Sequence, residues 1–114
     1  LDGKVTDLIE IPSKWELDDY VAQAYSIYPA EPAGLDRISC YRNVQDNDLR
    51  EFHGYRDMGL CIDFLMHPQI SGAPGRNLVL EEILKEVTSH DDVWVATCKE
   101  IADYWRTAHP RKEG

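Results

Sequence analysis

His67 stands directly before Pro68 and directly after the nearly all-apolar run Leu60-Cys61-Ile62-Asp63-Phe64-Leu65-Met66. Neutral and charged imidazole are both accessible near pH 7. At the C-terminal end of a buried strand, such a ring could protonate a departing amine or alkoxide as a tetrahedral intermediate collapses. Pro68 disfavours helical backbone at the residue before it and so holds His67 extended. The plainer role is a histidine whose nitrogens bond loop carbonyls, and position alone does not separate the two.

Asp18 and Asp19 follow Trp15 in a short polar segment. One of the two could hold the far imidazole nitrogen of His67 and fix its tautomer. Their commoner role, as an acidic pair opening a helix, is capping and dipole compensation. Trp15 is either a pocket wall or core. Arg76 lies at a predicted helix start, where the dipole is unfavourable to a cation, so a compensating partner is expected: a loop carboxylate, Glu10 or a substrate. His53, His90 and His109 lack HxxxH or ExxH spacing and are given no metal role at this level. Cys40, Cys61 and Cys98 are odd in number and have no CxxC spacing, which favours buried reduced thiols over a disulfide framework or a zinc site.

Elements able to position these residues can be read from periodicity. Residues 5–11 alternate toward Pro12 as a first strand, and a short helix or turn begins at Trp15. Pro29, Pro32 and Gly34 break it into a lid-like loop. A capped helix is predicted from Asn47 and Asp48, with Leu49, Phe52 and Tyr55 or Met58 on one side. Residues 60–66 read as a strand buried on both faces of a parallel sheet, Asp63 being the misfit. Leu80, Ile83, Leu84 and Val87 recur at helical spacing after the Ser71–Gly75 loop, on a helix expected to pack against that sheet. Residues 93–96 form a third strand. Thr97 and Glu100 then make a capping box for a last helix, buried through Ile101, Tyr104 and Trp105.

The expected fold class is therefore α/β, with about three parallel strands and covering helices in one domain over residues 1–114. So small an open sheet leaves two edges bare, and further polypeptide is needed to complete it. The chain has 114 residues, 43% of them hydrophobic, and carries a net charge of −9, from 12 Lys+Arg against 21 Asp+Glu. That balance argues against nucleic acid and anionic membrane surfaces as partners. No apolar run approaches the length of a membrane span, and no charged segment leads into an apolar stretch, so a cytoplasmic protein is expected.

Three segments, residues 8–19 (LIEIPSKWELDD), 66–76 (MHPQISGAPGR) and 93–105 (VWVATCKEIADYW), together resemble the C-terminal half of the polysaccharide deacetylase (NodB homology) family. The resemblance is strongest to its peptidoglycan-deacetylase-like and allantoinase-like branch. It implies the last part of a distorted (β/α)7 barrel and metal-dependent hydrolysis of a non-peptide C–N bond in carbohydrate or related metabolism, by amide deacetylation or cyclic amide or ureide opening. In that chemistry an Asp and two His hold a divalent ion, zinc by expectation, that polarises the carbonyl and activates water. On this sequence His67 matches the late-strand general acid. Trp15 with Asp18 or Asp19 matches the pocket motif that tunes it. Residues 72–76 match a loop of the branch to which the resemblance assigns no role; the substrate contact expected of Arg76 rests on its unfavourable place at a helix start. The early motifs that supply the metal ligands are absent. The resemblance thus implies a companion chain carrying the N-terminal half, with further oligomerisation expected and no activity of this chain alone. The alternative is a non-catalytic binding or assembly module on the same partial barrel.

Overall fold

The computed structural model describes residue 6, residues 8–24 and residues 39–110. The lid-like loop around Pro29, Pro32 and Gly34, and Val5 at the start of the first expected strand, lie outside the described residues. Two compact units are present, Leu1–Pro12 with Trp94–Gly114, and Ser13–Val93.

The second unit is helical. A 3-10 turn, Trp15–Leu17, leads into α1 (Asp19–Gln23), followed by α2 (Tyr41–Asp57), α3 (Pro68–Ser71) and α4 (Pro74–Thr88). The α2 and α4 helices pack on each other, burying Val44 and Phe52 from one and Val79 and Ile83 from the other. Val44, Asp48 and Phe52 are four residues apart and share one face of α2, which is why that face turns inward. The pairing is parallel. Tyr41 meets Gly75 near the two N-termini, Gln45 donates to Glu82 further along, and His53 meets Glu86 toward the C-termini. Two polar contacts tie the ends: Asn47 Nδ2 donates to the Glu16 carbonyl at 2.9 Å, and Arg56 grips both Asp92 oxygens at 3.0 and 3.1 Å. Gly59, at φ 66°, takes the left-handed conformation that ends α2. The Leu60 N–H then turns back to the Tyr55 carbonyl.

The expected α/β class is not what the chain adopts: among the described residues there is no strand. Among the described residues, the run 60–66 forms a single parallel bridge, Asp18 with Leu65. That bridge is made by Asp19 N–H to the Leu65 carbonyl and Leu65 N–H to the Leu17 carbonyl. A strand exists by continuous pairing, and an apolar run does not by itself provide the partner. Nor is the run buried on both faces, since Leu60 and Leu65 are 53% and 38% exposed, and in residues 93–96 Trp94 and Val95 are 57% and 64% exposed. The α4 helix consequently packs on α2 rather than on a sheet, and Leu84, expected inside, is exposed. The second helix starts at Tyr41 instead of Asn47, because Asp48, read as part of a cap, is a buried mid-helix residue. All three cysteines are exposed rather than buried.

In the first unit, α5 (Cys98–Ala108) opens with the expected capping box. Thr97 N–H donates to Glu100 at 2.7 Å, and Glu100 N–H donates to Thr97 Oγ1 at 3.3 Å. None of its residues is buried, so the expected burial of Ile101, Tyr104 and Trp105 is not seen; Tyr104 instead packs edge-on against Trp94, with ring centroids 5.6 Å apart. With little packing to support it, α5 depends on local terms. Thr97→Ala is therefore expected to destabilise it by about 1 kcal/mol, seen as lost helical signal in far-UV circular dichroism. No helix of the described residues is long and apolar enough to cross a membrane.

Candidate functional site

Asp19 and His67 are separated by 48 residues and joined by two hydrogen bonds. The bridge between Leu65 and the segment before α1 brings them together. It sets the first residue of α1 beside the residue that caps α3. His67 is that cap, with extended φ −111° and ψ 127°, and Pro68 occupies the first turn of α3. This is the conformation that a residue preceding proline favours, and it aims both the backbone N–H and the ring of His67 at one carboxylate.

The carboxylate is well held. Asp19 Oδ1 lies 2.6 Å from His67 Nδ1. Oδ2 accepts the His67 N–H at 2.9 Å, the Ser71 N–H at 3.2 Å and the Ser71 hydroxyl. Asp19 is 4% exposed. Burial pushes its carboxyl up, but the Ser71 hydroxyl, the His67 N–H, the His67 ring and the imidazole's charge together outweigh that, leaving it below the usual carboxylate range. An ionised Asp19 requires the proton of His67 on Nδ1, so Nε2 is the working nitrogen. Nε2 has no hydrogen-bond partner among the described residues, and the ring is 37% exposed with Tyr20 tilted against it at 5.6 Å. Gly72 closes α3 where a side chain would run into the Pro68 carbonyl.

The two roles open for the acidic pair divide between its members. Asp18 caps α1, accepting the Tyr20 N–H at 2.8 Å, and its Oδ1 stands 3.7 Å from His67 Nδ1. Asp19 orients the imidazole. Trp15 is not core, being 77% exposed in the 3-10 turn. Arg76, in the first turn of α4, forms no ion pair among the described residues. Ser71 was not singled out by sequence reasoning. It stands at the start of the expected Ser71–Gly75 loop, and its link to Asp19 spans 52 residues.

Asp18, Asp19 and His67 form one of two groups among the described residues whose donor atoms lie close enough together to hold a metal ion. Their bonding argues against that use. Both Asp19 oxygens are engaged by donors, Nδ1 of His67 faces Asp19, and Asp18 Oδ1 caps a helix. A metal here would have to displace these bonds, so the set fits an oriented histidine and does not fit a metal centre.

On α2, Asp48 is 5% exposed. It faces, with Asp18, Asp19 and Glu16, a cavity of about 150 Å³. Burial, and to a smaller degree the charge of Asp19, push its carboxyl up from 3.8 to about 6 against the opposing bond from Asn47. With the folded value above the unfolded one, its stabilising contribution is complete below pH 3.8 and is lost as pH rises through about 6. Asp48→Asn, which stays neutral, is expected to raise stability at neutral pH by about 1–3 kcal/mol and to flatten that part of the profile, measurable by urea unfolding across the pH range.

No family model matches the chain. It is 30% identical over 113 residues, 97% of its length, to a peptidoglycan deacetylase of Helicobacter pylori, of which it spans 38%. It is 40% identical over 47 residues to a Schizosaccharomyces pombe protein assigned as a polysaccharide deacetylase, spanning 15% of that protein. Among solved structures, a protein from Mycobacterium smegmatis with the same assignment superposes with a TM-score of 0.73 at 34% identity, over 90% of this chain and 36% of that one. The chain thus spans well under half the length of the relatives it matches.

Proposed function

We propose, from its likeness to polysaccharide and peptidoglycan deacetylases, that the chain supplies the proton-donating side of an amide-hydrolysing site acting on an N-acetylated polysaccharide of the peptidoglycan type. The observation that carries this reading is the 2.6 Å contact between Asp19 and His67 Nδ1. It leaves Nε2 on a half-exposed ring as the one nitrogen that can meet a substrate. In its charged form His67 donates the Nε2 proton to the amine nitrogen as the C–N bond breaks. Asp19 is a positioning residue, since it fixes the tautomer and steadies the imidazolium. Asp18 adds negative charge near the ring, and the reading assigns substrate contact to Trp15 and Arg76, the cation suiting an anionic group on the glycan.

The Asp19 oxygens are already engaged, so the reading assigns the divalent metal's ligands to polypeptide outside this chain, either a companion chain or further sequence. It is tested by acetate release from an N-acetylated glycan. The complete assembly is expected to turn over and this chain alone to be inert. An assembly that binds glycan but never releases acetate would instead support a non-catalytic binding module.

A further inference from the structure

We propose that His53, Glu86 and His90 form a binding site for a divalent transition-metal ion of the zinc class, clamping the C-terminal ends of α2 and α4. Glu86 Oε1 lies 3.4 Å from His53 Nε2 and 3.1 Å from His90 Nε2. The three donor atoms fall within 4.8 Å of one another. Metal–ligand bonds of about 2.0–2.1 Å at tetrahedral angles place neighbouring donors about 3.3 Å apart. Two of the three separations therefore already match a metal's first sphere, and a small side-chain rotation closes the third.

Two further features favour a cation here. The α2 and α4 helices run parallel, so the negative ends of both dipoles converge on this cluster, with His53 in the last turns of α2 and His90 just beyond Thr88 at the end of α4. Both rings are also held from behind by the buried Phe52, at centroid distances of 5.1 and 5.6 Å, which limits the rotamer freedom lost on binding. The three side chains are 44%, 38% and 22% exposed, leaving room for water as a fourth ligand. In sequence only two of the three ligands are visible together: Glu86 and His90 are an i,i+4 pair, while the third comes from another helix. The bound ion would link two helices that otherwise meet through Val44, Phe52, Val79 and Ile83, stabilising the folded chain by the affinity it gains.

The test uses the full chain, Co²⁺ as a visible probe and Zn²⁺ as competitor. Expected are one saturating equivalent of Co²⁺, displacement by Zn²⁺, and paramagnetic broadening of the His53 and His90 ring resonances but not those of His67. A rise in melting temperature with Zn²⁺ is expected as well. Glu86→Gln, nearly isosteric, should weaken binding at least about tenfold. The double variant His53→Asn with His90→Asn should abolish it, and His67→Ala with Asp19→Asn should leave it intact. Absence of saturable binding overturns the proposal. So does broadening centred on His67, or unchanged affinity in Glu86→Gln, and these two results stand even where the double variant fails to fold.

Discussion

Asp19→Ala is expected to lower stability by about 3–5 kcal/mol, near the upper end for a single substitution. The carboxylate is the common acceptor for the His67 N–H, the Ser71 N–H, the Ser71 hydroxyl and the His67 ring. Ser71 is 5% exposed, so water does not readily replace the lost acceptor. Among the described residues the Ser71 hydroxyl then retains the Met66 sulfur, at 3.4 Å, a weak acceptor. The same carboxylate joins α1 to α3, so its removal also loosens the contact that sets His67. Because the folded-state value of Asp19 lies below its ordinary one, its contribution is present above the unfolded value and is lost as pH falls through the folded one. Wild-type protein should therefore lose stability on acidification below about pH 4, and Asp19→Ala should lose less over the same interval. Chemical denaturation at a series of acidic pH values measures both effects.

The largest expected effect on turnover is that of His67→Ala in the complete assembly, a loss of about 10²–10⁴-fold in kcat. Amine expulsion without a proton donor leaves an anionic nitrogen, and the imidazole removes that barrier only when Nε2 is the free nitrogen. Asp19→Asn tests the orientation separately. An amide at that position can present its NH2 to Nδ1, turning the proton of the neutral ring onto Nε2 and losing the stabilisation of the imidazolium. It should lower kcat with little change in KM, whereas a substrate-contact residue such as Arg76 should act mainly on KM. Rescue of His67→Ala by added imidazole, but not of Asp19→Asn, would separate the donor from its positioner.

Signals confined to a few adjacent residues were legible before the structure. The Thr97 and Glu100 capping box needs three residues of spacing, and Pro68 constrains only its neighbour, so both could be read directly. Asp18 and Asp19 could be named as partners for His67, yet which one caps and which one orients depends on the Leu17–Leu65 contact, a long-range fact. Ser71 was hidden for the same reason. The strands are not legible because composition reports the apolarity of residues 60–66 and not whether another backbone lies alongside; among the described residues the pairing is a single bridge. Asp48 misled in the opposite direction. Its type signals a helix start, but its four-residue spacing from Val44 and Phe52 puts it on the buried face of a helix already under way.

The most direct test of an acid role for His67 is the dependence of the His67→Ala penalty on the leaving group, measured on the complete assembly with acetamides of a basic sugar amine and of a weakly basic aryl amine. Proton donation to the departing nitrogen predicts a penalty of about 10²-fold or more on the sugar amide that shrinks markedly on the aryl amide, whose nitrogen leaves without a proton. An equal penalty on both substrates, or full turnover without the imidazole, would contradict it.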